Sequence, residues 1–167
     1  MNILLIGNAI SMIGCLIMVG IGFLRKKTHI LIAQSVQCVF MGAGNLILGG
    51  VSGFVCNIVT ILRNLAFLKF RNTTAMKIFF VALQFVLSIS TLSAGWISWL
   101  PIVSAALFTW YMDTQSQAKL KVVILCTQVM WLTYDLYYRN YAASAFDVMT
   151  FVSNCIGLYM ILRKTAK

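Results

Sequence analysis

Long apolar runs divide this sequence, and each is close to the length of a membrane-spanning helix. A helix needs about 20 residues, at about 1.5 Å each, to cross a hydrocarbon layer about 30 Å thick. Backbone groups in lipid must bond within their own segment, and the alternation typical of a β-barrel is absent, so the runs are predicted to be helices. The seven predicted spans are residues 3–24, 29–49, 52–70, 75–93, 96–112, 119–138 and 143–162.

The composition excludes a soluble domain of this size. Apolar residues make up 61% of the 167 residues and charged residues only 10%, against about 25% in soluble proteins. A small protein has too much surface for its volume to bury that much apolar area. We therefore predict an integral, multi-pass membrane protein whose main partner is the lipid bilayer.

Positive charge gathers at one set of connections between the spans. Of the 13 Lys and Arg residues, eleven lie where the positive-inside rule predicts cytoplasm. Arg139 lies in an opposite connection, and Arg63 lies within the third span. This pattern predicts an N-terminus outside and a C-terminus in the cytoplasm. It also favours topology, rather than nucleic-acid binding, as the reason for the net charge of +10.

Constellations for metal, redox and enzymatic chemistry are absent from the sequence. The five cysteines lie singly within apolar runs, and His29 has no companion ligand. No nucleophile–base pattern, phosphate-binding loop or zinc motif occurs. We predict a protein that is not an enzyme and that holds no metal or other cofactor.

Two stretches of the sequence align as an internal repeat. Residues 56–64, CNIVTILRN, match residues 146–154, FDVMTFVSN, at a separation of 90. Gln37 and Gln128 on the preceding helices match at 91, which predicts that the turns after them differ in length by one residue. The fourth helix is left as a connector, so both three-helix units have the same orientation. The predicted fold is all-α with seven transmembrane helices as 3+1+3, comprising a first bundle at 1–72, a linker helix at 73–94 and a second bundle at 95–167.

Polar residues form one stripe on the third helix and one on the seventh. Residues three, four and seven apart share a helix face, so the members of each stripe point the same way. An amide or carboxylate facing lipid is costly, so both stripes must face inward. Interhelical bonding is the favoured role of the two threonines, and a solute cavity is the favoured role of the amides and the carboxylate. The predicted substrate-binding residues are Asn57, Asn64, Asp147, Asn154, Thr60 and Thr150.

Arg63 points about 120° away from its stripe, and two explanations stay open for it. In one, the side chain reaches the cytoplasmic interface by snorkelling. In the other, Arg63 is a gating residue or half of a charge pair with Asp135. Asp147 must pair with a donor or take up a proton, which would allow proton coupling.

Other residues of the spans are predicted to complete the cavity or to shape it. Pro101, the only proline, is predicted to free a backbone carbonyl in the fifth helix and to form a hinge there. Further lining residues are predicted on the second and sixth helices, namely Gln34, Gln37, Thr127, Gln128 and Asp135.

Three stretches resemble a known family: CNIVTILRNLAFLKF, WLPIVSAALFTW, and VMW followed by SNCIGLYMILRK. With the 3+1+3 plan, they resemble the SWEET and PQ-loop (MtN3-like) superfamily, and within it the bacterial YgjV-type inner-membrane proteins. The resemblance implies a carrier in the bacterial cytoplasmic membrane that moves a sugar, an amino acid or a similar small polar solute by alternating access. It places Asn57 with Asp147, or Asn64 with Asn154, at the solute. The sequence departs from the pattern in having Asp147 as one partner and in lacking the Pro–Gln pair.

A carrier is therefore the favoured function, with two alternatives from other classes. One is a ligand-binding or sorting protein akin to the KDEL receptor, which would need more intramembrane charge than Arg63, Asp135 and Asp147 provide. The other is a structural membrane subunit, in which the polar stripes would serve stability alone.

Overall fold

Seven α-helices make up most of the chain that the structure describes. The computed structural model describes residues 2–21, 26–70, 73–89, 91–112 and 114–165. A short 3-10 segment, Leu92–Ser98, precedes the fifth helix. The helices are α1 (Ile3–Ile21), α2 (Lys27–Ile47), α3 (Val51–Lys69), α4 (Thr74–Ile89), α5 (Trp99–Tyr111), α6 (Gln117–Tyr137) and α7 (Tyr141–Thr165).

Four of these helices are long and apolar enough to cross a membrane, namely α1, α2, α3 and α7. Their mean hydropathy ranges from 1.6 to 2.3, and between 6% and 44% of each span is buried inside the protein. The predicted bounds were too long for α4 and α5, which have 16 and 13 residues. Helix α6 carries Lys119, Lys121 and Asp135 among its apolar residues. The fold is thus all-α, with an apolar exterior suited to lipid.

Helix α5 begins later than predicted because the chain before it is not α-helical. Gly95, in the 3-10 segment, has a φ of 73° that interrupts the helical path. Helix α5 then begins at Trp99, which places Pro101 in its first turn. Backbone N–H groups of a first turn have no helical acceptor, so a proline there removes no hydrogen bond. Pro101 therefore lies at the start of α5 rather than in its interior, and the hinge stays a prediction.

Six helices form a ring, and α4 lies outside it. Helix α2 packs between α1 and α3, which together we call the first triplet. Helix α6 packs between α5 and α7, which we call the second triplet. The triplets meet where α1 contacts α7 and where α3 contacts α5. Helix α4 contacts α3 and α5, beside one of these two junctions.

The α2–α3 and α6–α7 turns have the same backbone structure. Gly49 and Arg139 are the residues with positive φ in the two turns, at 88° and 57°. This left-handed conformation is easy for glycine and uncommon for other residues. The same three backbone bonds close each turn: Leu48, Gly49 and Gly50 donate to Gly44, Leu46 and Asn45, and Tyr138, Arg139 and Asn140 donate to Tyr134, Leu136 and Asp135.

The two turns and their helices correspond at a separation of 90 residues. Helix α2 spans residues 27–47 and α6 spans residues 117–137, while α3 and α7 begin at residues 51 and 141. The separation of 91 predicted for the second and sixth helices is therefore wrong. The two turns have the same length, because their bonds close on corresponding positions.

The two ends of the ring differ in charge. Both turns and the start of α1 lie together at one end, which we call the turn end, since the Asn8 amide donates to the Arg139 carbonyl. At the opposite end, where α1 and α5 finish and α2 and α6 begin, Lys26, Lys69 and Lys119 are exposed. By the positive-inside rule, the end with the lysines is the one predicted to face the cytoplasm.

Glycine lets α1 and α2 approach closely at the turn end. A Cβ atom added at Gly44 would lie 3.0 Å from the Gly7 carbonyl oxygen and 3.2 Å from the Ser11 Cβ. It would also overlap the Ser11 hydroxyl oxygen. Because one neighbour is backbone, a rotamer change cannot make enough room.

The substitution Gly44→Ala is expected to lower the melting temperature of the detergent-purified protein, since overpacking costs about 1–3 kcal/mol. Gly20→Ala in α1 is the matched control, because its added Cβ would meet nothing within 4 Å. Thermal unfolding followed by circular dichroism measures both variants. Equal melting temperatures would contradict the close approach of α1 and α2.

Candidate functional site

A cavity of about 400 Å³ lies at the centre of the ring, and we call it the central cavity. Its volume falls in the range of small-molecule sites, about 300–1,000 Å³. Every helix of both triplets contributes to the lining, and α4 contributes none of the described lining residues. The polar and charged lining residues are Gln34, Gln37, Asn57, Thr60, Arg63, Ser104, Thr127, Gln128, Asp135 and Asp147.

Lining positions recur in the two triplets at a separation of 90 residues. Such pairs of lining positions occur on α1 and α5, on α2 and α6, and on α3 and α7. The two helices of each pair therefore line the cavity with corresponding faces. Most pairs differ in chemistry, which makes the cavity symmetric in shape but not in charge. The pairs are Cys15 and Ala105, Met18 and Phe108, Gln34 and Ile124, Gln37 and Thr127, Cys38 and Gln128, Met41 and Trp131, and Asn57 and Asp147.

Asn57 and Asp147 are the equivalent polar residues of α3 and α7. Each lies six residues after the start of its helix, and each is buried, 8% and 7% exposed. The Asn57 amide donates to the Gly53 carbonyl one turn earlier, at 2.8 Å. Asp147 Oδ1 accepts from Gln128 Nε2 on α6, while Asp147 Oδ2 has no hydrogen-bond partner. One carboxylate oxygen of the cavity wall is therefore unsatisfied.

Asp135 on α6 places a second carboxyl group beside the first. Its side chain is 1% exposed, and its Oδ1 atom also lacks a partner. The carboxyl groups of Asp135 and Asp147 lie within hydrogen-bonding reach of each other. Two carboxylates this close repel each other, and a proton or a cation between them relieves the repulsion. The arrangement makes this part of the cavity wall a site for positive charge.

Arg63 lies inside the ring and is only 3% exposed, so the snorkelling explanation is wrong. Its Nη1 donates to Thr109 Oγ1 on α5 at 2.8 Å, and its Nη2 donates to Asn64 Oδ1 at 3.2 Å. The guanidinium lies 5.6 Å from the centre of the Phe108 ring. Its Nε has no partner. Arg63 thus joins α3 to α5 through a neutral hydroxyl, and it does not form the predicted pair with Asp135.

The structure brings five of the eight predicted site residues to the cavity and leaves three outside it. Asn57, Thr60, Arg63, Asp135 and Asp147 belong to the lining. Asn64, Thr150 and Asn154 do not, although the polar stripes of α3 and α7 predicted them there.

The three residues outside the lining bond to protein neighbours instead. The Asn64 amide donates to Gln34 Oε1 at 3.1 Å, which orients a lining side chain. The Asn154 amide donates to the Thr150 carbonyl at 2.9 Å and accepts from Lys121 Nζ at 3.3 Å. Lys121 approaches α7 at Gly157, where a Cβ would lie 2.6 Å from its Nζ. Asn64 and Asn154, equivalent by separation, therefore have different surroundings.

A cluster of polar residues that sequence reasoning missed joins the two triplets at the turn end. Asn45 and Asn140 are fully buried, and the Asn140 amide donates to Asn45 Oδ1 at 3.0 Å. Asn8 Oδ1 accepts from the Ala142 N–H at 2.9 Å, and its amide donates to the Arg139 carbonyl at 3.0 Å. We call these contacts, with those of Tyr134 below, the turn-end seal.

Tyr134 on α6 forms the other half of the turn-end seal. Its side chain is fully buried, and its hydroxyl accepts from the Gly53 N–H at 2.7 Å and from Ser52 Oγ at 3.1 Å. A Cβ at Gly53 would lie 2.7 Å from the Tyr134 ring, so glycine is needed for this contact. The sequence gives little indication of the turn-end seal, because its only signal is the asparagines and glycines near the two turns.

Comparison with known proteins gives one match. A family model described as Imp-YgjV, bacterial inner membrane protein, matches residues 5–165. No curated protein and no solved structure matches the chain.

Loss of the hydroxyl that Arg63 contacts is expected to destabilise the fold. Thr109→Val keeps the shape but leaves a buried guanidinium N–H without an acceptor, at a cost of about 1.5–3 kcal/mol. Thr133→Val is the matched control, because Thr133 bonds the carbonyl four residues earlier, as Thr109 does, but lies on the exposed face of α6. A melting temperature lowered equally by both substitutions would contradict the role of the Arg63–Thr109 bond.

Proposed function

The chain belongs to the Imp-YgjV family of bacterial inner membrane proteins, and we propose that it is a carrier that moves a small polar solute by alternating access. The solute occupies the central cavity between the two triplets. The observation that carries this proposal is the lining itself: equivalent positions of all six ring helices face one cavity. Carriers built from repeats bind their cargo at such an interface.

The proposal includes the 3+1+3 organisation, with α4 as the linker between two parallel repeats. Three observations support it: the coincident bounds of α2 and α6, the identical bonding of the two turns, and the recurrence of lining positions at the same separation. The two junctions between the triplets also support a two-fold axis. Rotation about this axis exchanges α1 with α5 and α3 with α7, so it places the α1–α7 junction on the α5–α3 junction. The relation to SWEET and PQ-loop carriers is part of this proposal.

The distribution of bonds between the triplets supports a state closed at the turn end. The turn-end seal crosses between the triplets there. Toward the opposite end, the cavity extends to Ile21, the last residue of α1, and to Ile30, near the start of α2. With the predicted topology, this state faces the cytoplasm. Rocking of the triplets would break the turn-end seal and close the cavity at the opposite end.

Unsatisfied charged atoms in the cavity favour a carrier over a structural subunit. Arg63 Nε, Asp135 Oδ1 and Asp147 Oδ2 are all buried without a protein partner. A buried polar group left unpaired costs about 1–3 kcal/mol, and more when it is charged. A protein that needed only stability would gain by replacing them with apolar residues, whereas a bound solute can satisfy them.

The substitutions Asn57→Ala and Asn154→Ala test the proposal. Both remove an asparagine whose amide bonds the carbonyl four residues earlier, but only Asn57 lines the cavity. Exchange of radiolabelled sugars and amino acids is measured in proteoliposomes containing the purified protein. We expect exchange of at least one solute, a loss of about tenfold in Asn57→Ala from one missing hydrogen bond, and little change in Asn154→Ala.

Two outcomes would contradict a carrier with this site. One is an absence of exchange for every solute by the folded wild-type protein. The other is an equal loss of exchange in both variants at equal melting temperature.

A further inference from the structure

We propose that the central cavity binds a zwitterion with an uncharged side chain, of which a neutral α-amino acid is the class. The carboxylate of this ligand binds Arg63, and its ammonium group binds Asp147 and Asp135. The inference rests on the proposed function, since it concerns the same cavity. It is carried by three buried charged side chains that line the cavity from three different helices, Arg63 on α3, Asp135 on α6 and Asp147 on α7.

The part of the lining formed by Asp135 and Asp147, which we call the acidic wall, has the geometry of an ammonium site. The carboxyl groups of Asp135 and Asp147 lie within hydrogen-bonding reach of each other, and Gln128 fixes the Asp147 carboxyl group through Oδ1. An ammonium group has three donors, so it can bond one oxygen of each carboxyl group and still reach a neighbouring acceptor. It also places positive charge where the two carboxyl groups repel each other.

The part of the lining formed by Arg63, which we call the basic wall, has the geometry of a carboxylate site. Thr109 and Asn64 hold the guanidinium through Nη1 and Nη2, so its plane is fixed before any ligand arrives. Its Nε–H is a free donor, and a guanidinium presents its donors in a fork that matches a carboxylate. The aromatic ring of Phe108 covers part of the guanidinium and limits its access to water.

The axial rise between the two walls suits a ligand whose two charged groups are bonded to the same carbon atom. Asn57 and Asp147 lie at equivalent depths in the ring, and Arg63 follows Asn57 by six residues, about 9 Å along the helix. A carboxylate and an ammonium group about 3 Å apart, each with one hydrogen bond of about 3 Å, span a similar distance. The aromatic lining residues Phe108, Trp131 and Phe146 leave an apolar surface for an uncharged side chain.

Charge balance distinguishes the zwitterion from other small solutes. The charged residues of the described lining are Arg63, Asp135 and Asp147. Two neighbouring carboxyl groups that share one proton carry one negative charge, so the cavity then holds one charge of each sign. A hexose would leave both charges without a counter-charge. An amine would leave Arg63 unpaired, and a carboxylic acid would leave the two aspartates unpaired.

The test compares ligands that differ by one charged group. The full-length protein in detergent is titrated with neutral L-amino acids, including L-alanine, L-leucine and L-glutamine, and with D-glucose, while the melting temperature is followed. For the strongest amino acid, the matching amine without the carboxylate and the matching acid without the amino group are titrated as well. We expect the amino acid to raise the melting temperature and each single-charge analogue to bind at least about tenfold more weakly.

Two substitutions test which wall binds which charged group of the ligand. Each is read from a change in ligand selectivity rather than from a change in protein stability. In Arg63→Gln, we expect the amino acid and its amine to bind equally, because the carboxylate loses its partner. In Asp147→Asn, which keeps the shape, we expect the amino acid and its acid to differ by less than in the wild type. Lys119→Gln, which removes an exposed cation outside the lining, is the control and should keep wild-type selectivity. Asp147→Asn alone decides the assignment if Arg63→Gln does not fold.

The outcomes separate this inference from the proposed carrier function. Stabilisation by glucose alone, equal binding of the amino acid and an analogue, or no response to the amino acids overturns the zwitterion site. Exchange of glucose in proteoliposomes without a response to amino acids overturns it while supporting the carrier. Selective binding of an amino acid without its exchange supports the zwitterion site and contradicts the carrier.

Discussion

A polar side chain that faces lipid has no solvent to bond, and the arrangement of this protein follows from that constraint. Its polar residues are turned inward and satisfied by one another at two places, the turn-end seal and the Arg63–Thr109 contact. Among the buried side-chain atoms without a hydrogen-bond partner, the three that belong to charged residues are on Arg63, Asp135 and Asp147, which line the cavity. The hydrogen-bonded groups hold the triplets together, and the charged residues of the lining are where the proposed solute would bind.

The correspondence between the two triplets and the lipid around them together account for the shape of the cavity. A three-helix unit cannot enclose a polar face alone, but two units with the same orientation can place those faces opposite each other. The lining pairs follow this scheme, and their chemistry has diverged, as in Asn57 with Asp147 and Cys38 with Gln128. The negatively charged lining residues, Asp135 and Asp147, lie on the second triplet, whereas Arg63 lies on the first. The cavity thereby combines a nearly symmetric frame, which suits rocking, with an asymmetric charge pattern, which suits an oriented ligand.

The sequence predicted the inward stripes because helical spacing and the cost of polar groups in lipid are local properties. It did not predict which member of a stripe reaches the cavity: Asn57 and Asn64 share a face but lie about 10 Å apart along α3, and Gln34 covers Asn64. Arg63 points away from the polar stripe of α3, which suggested a side chain outside the bundle. It is buried instead, because α5 packs against that side of α3. The turn-end seal joins residues up to 134 apart in sequence, so only tertiary structure brings them together.

Distances across the ring test alternating motion of the triplets most directly. Val51 and Tyr141, the exposed first residues of α3 and α7, mark the turn end when spin-labelled through cysteine in a Cys126→Ser, Cys155→Ser background. Lys69 and Tyr159, also exposed and 90 residues apart, mark the opposite end. Double electron–electron resonance on protein in lipid nanodiscs should give two populations in which one pair lengthens as the other shortens, with proportions that a transported solute changes. A single distance for each pair, unchanged by every solute that binds, would contradict the account.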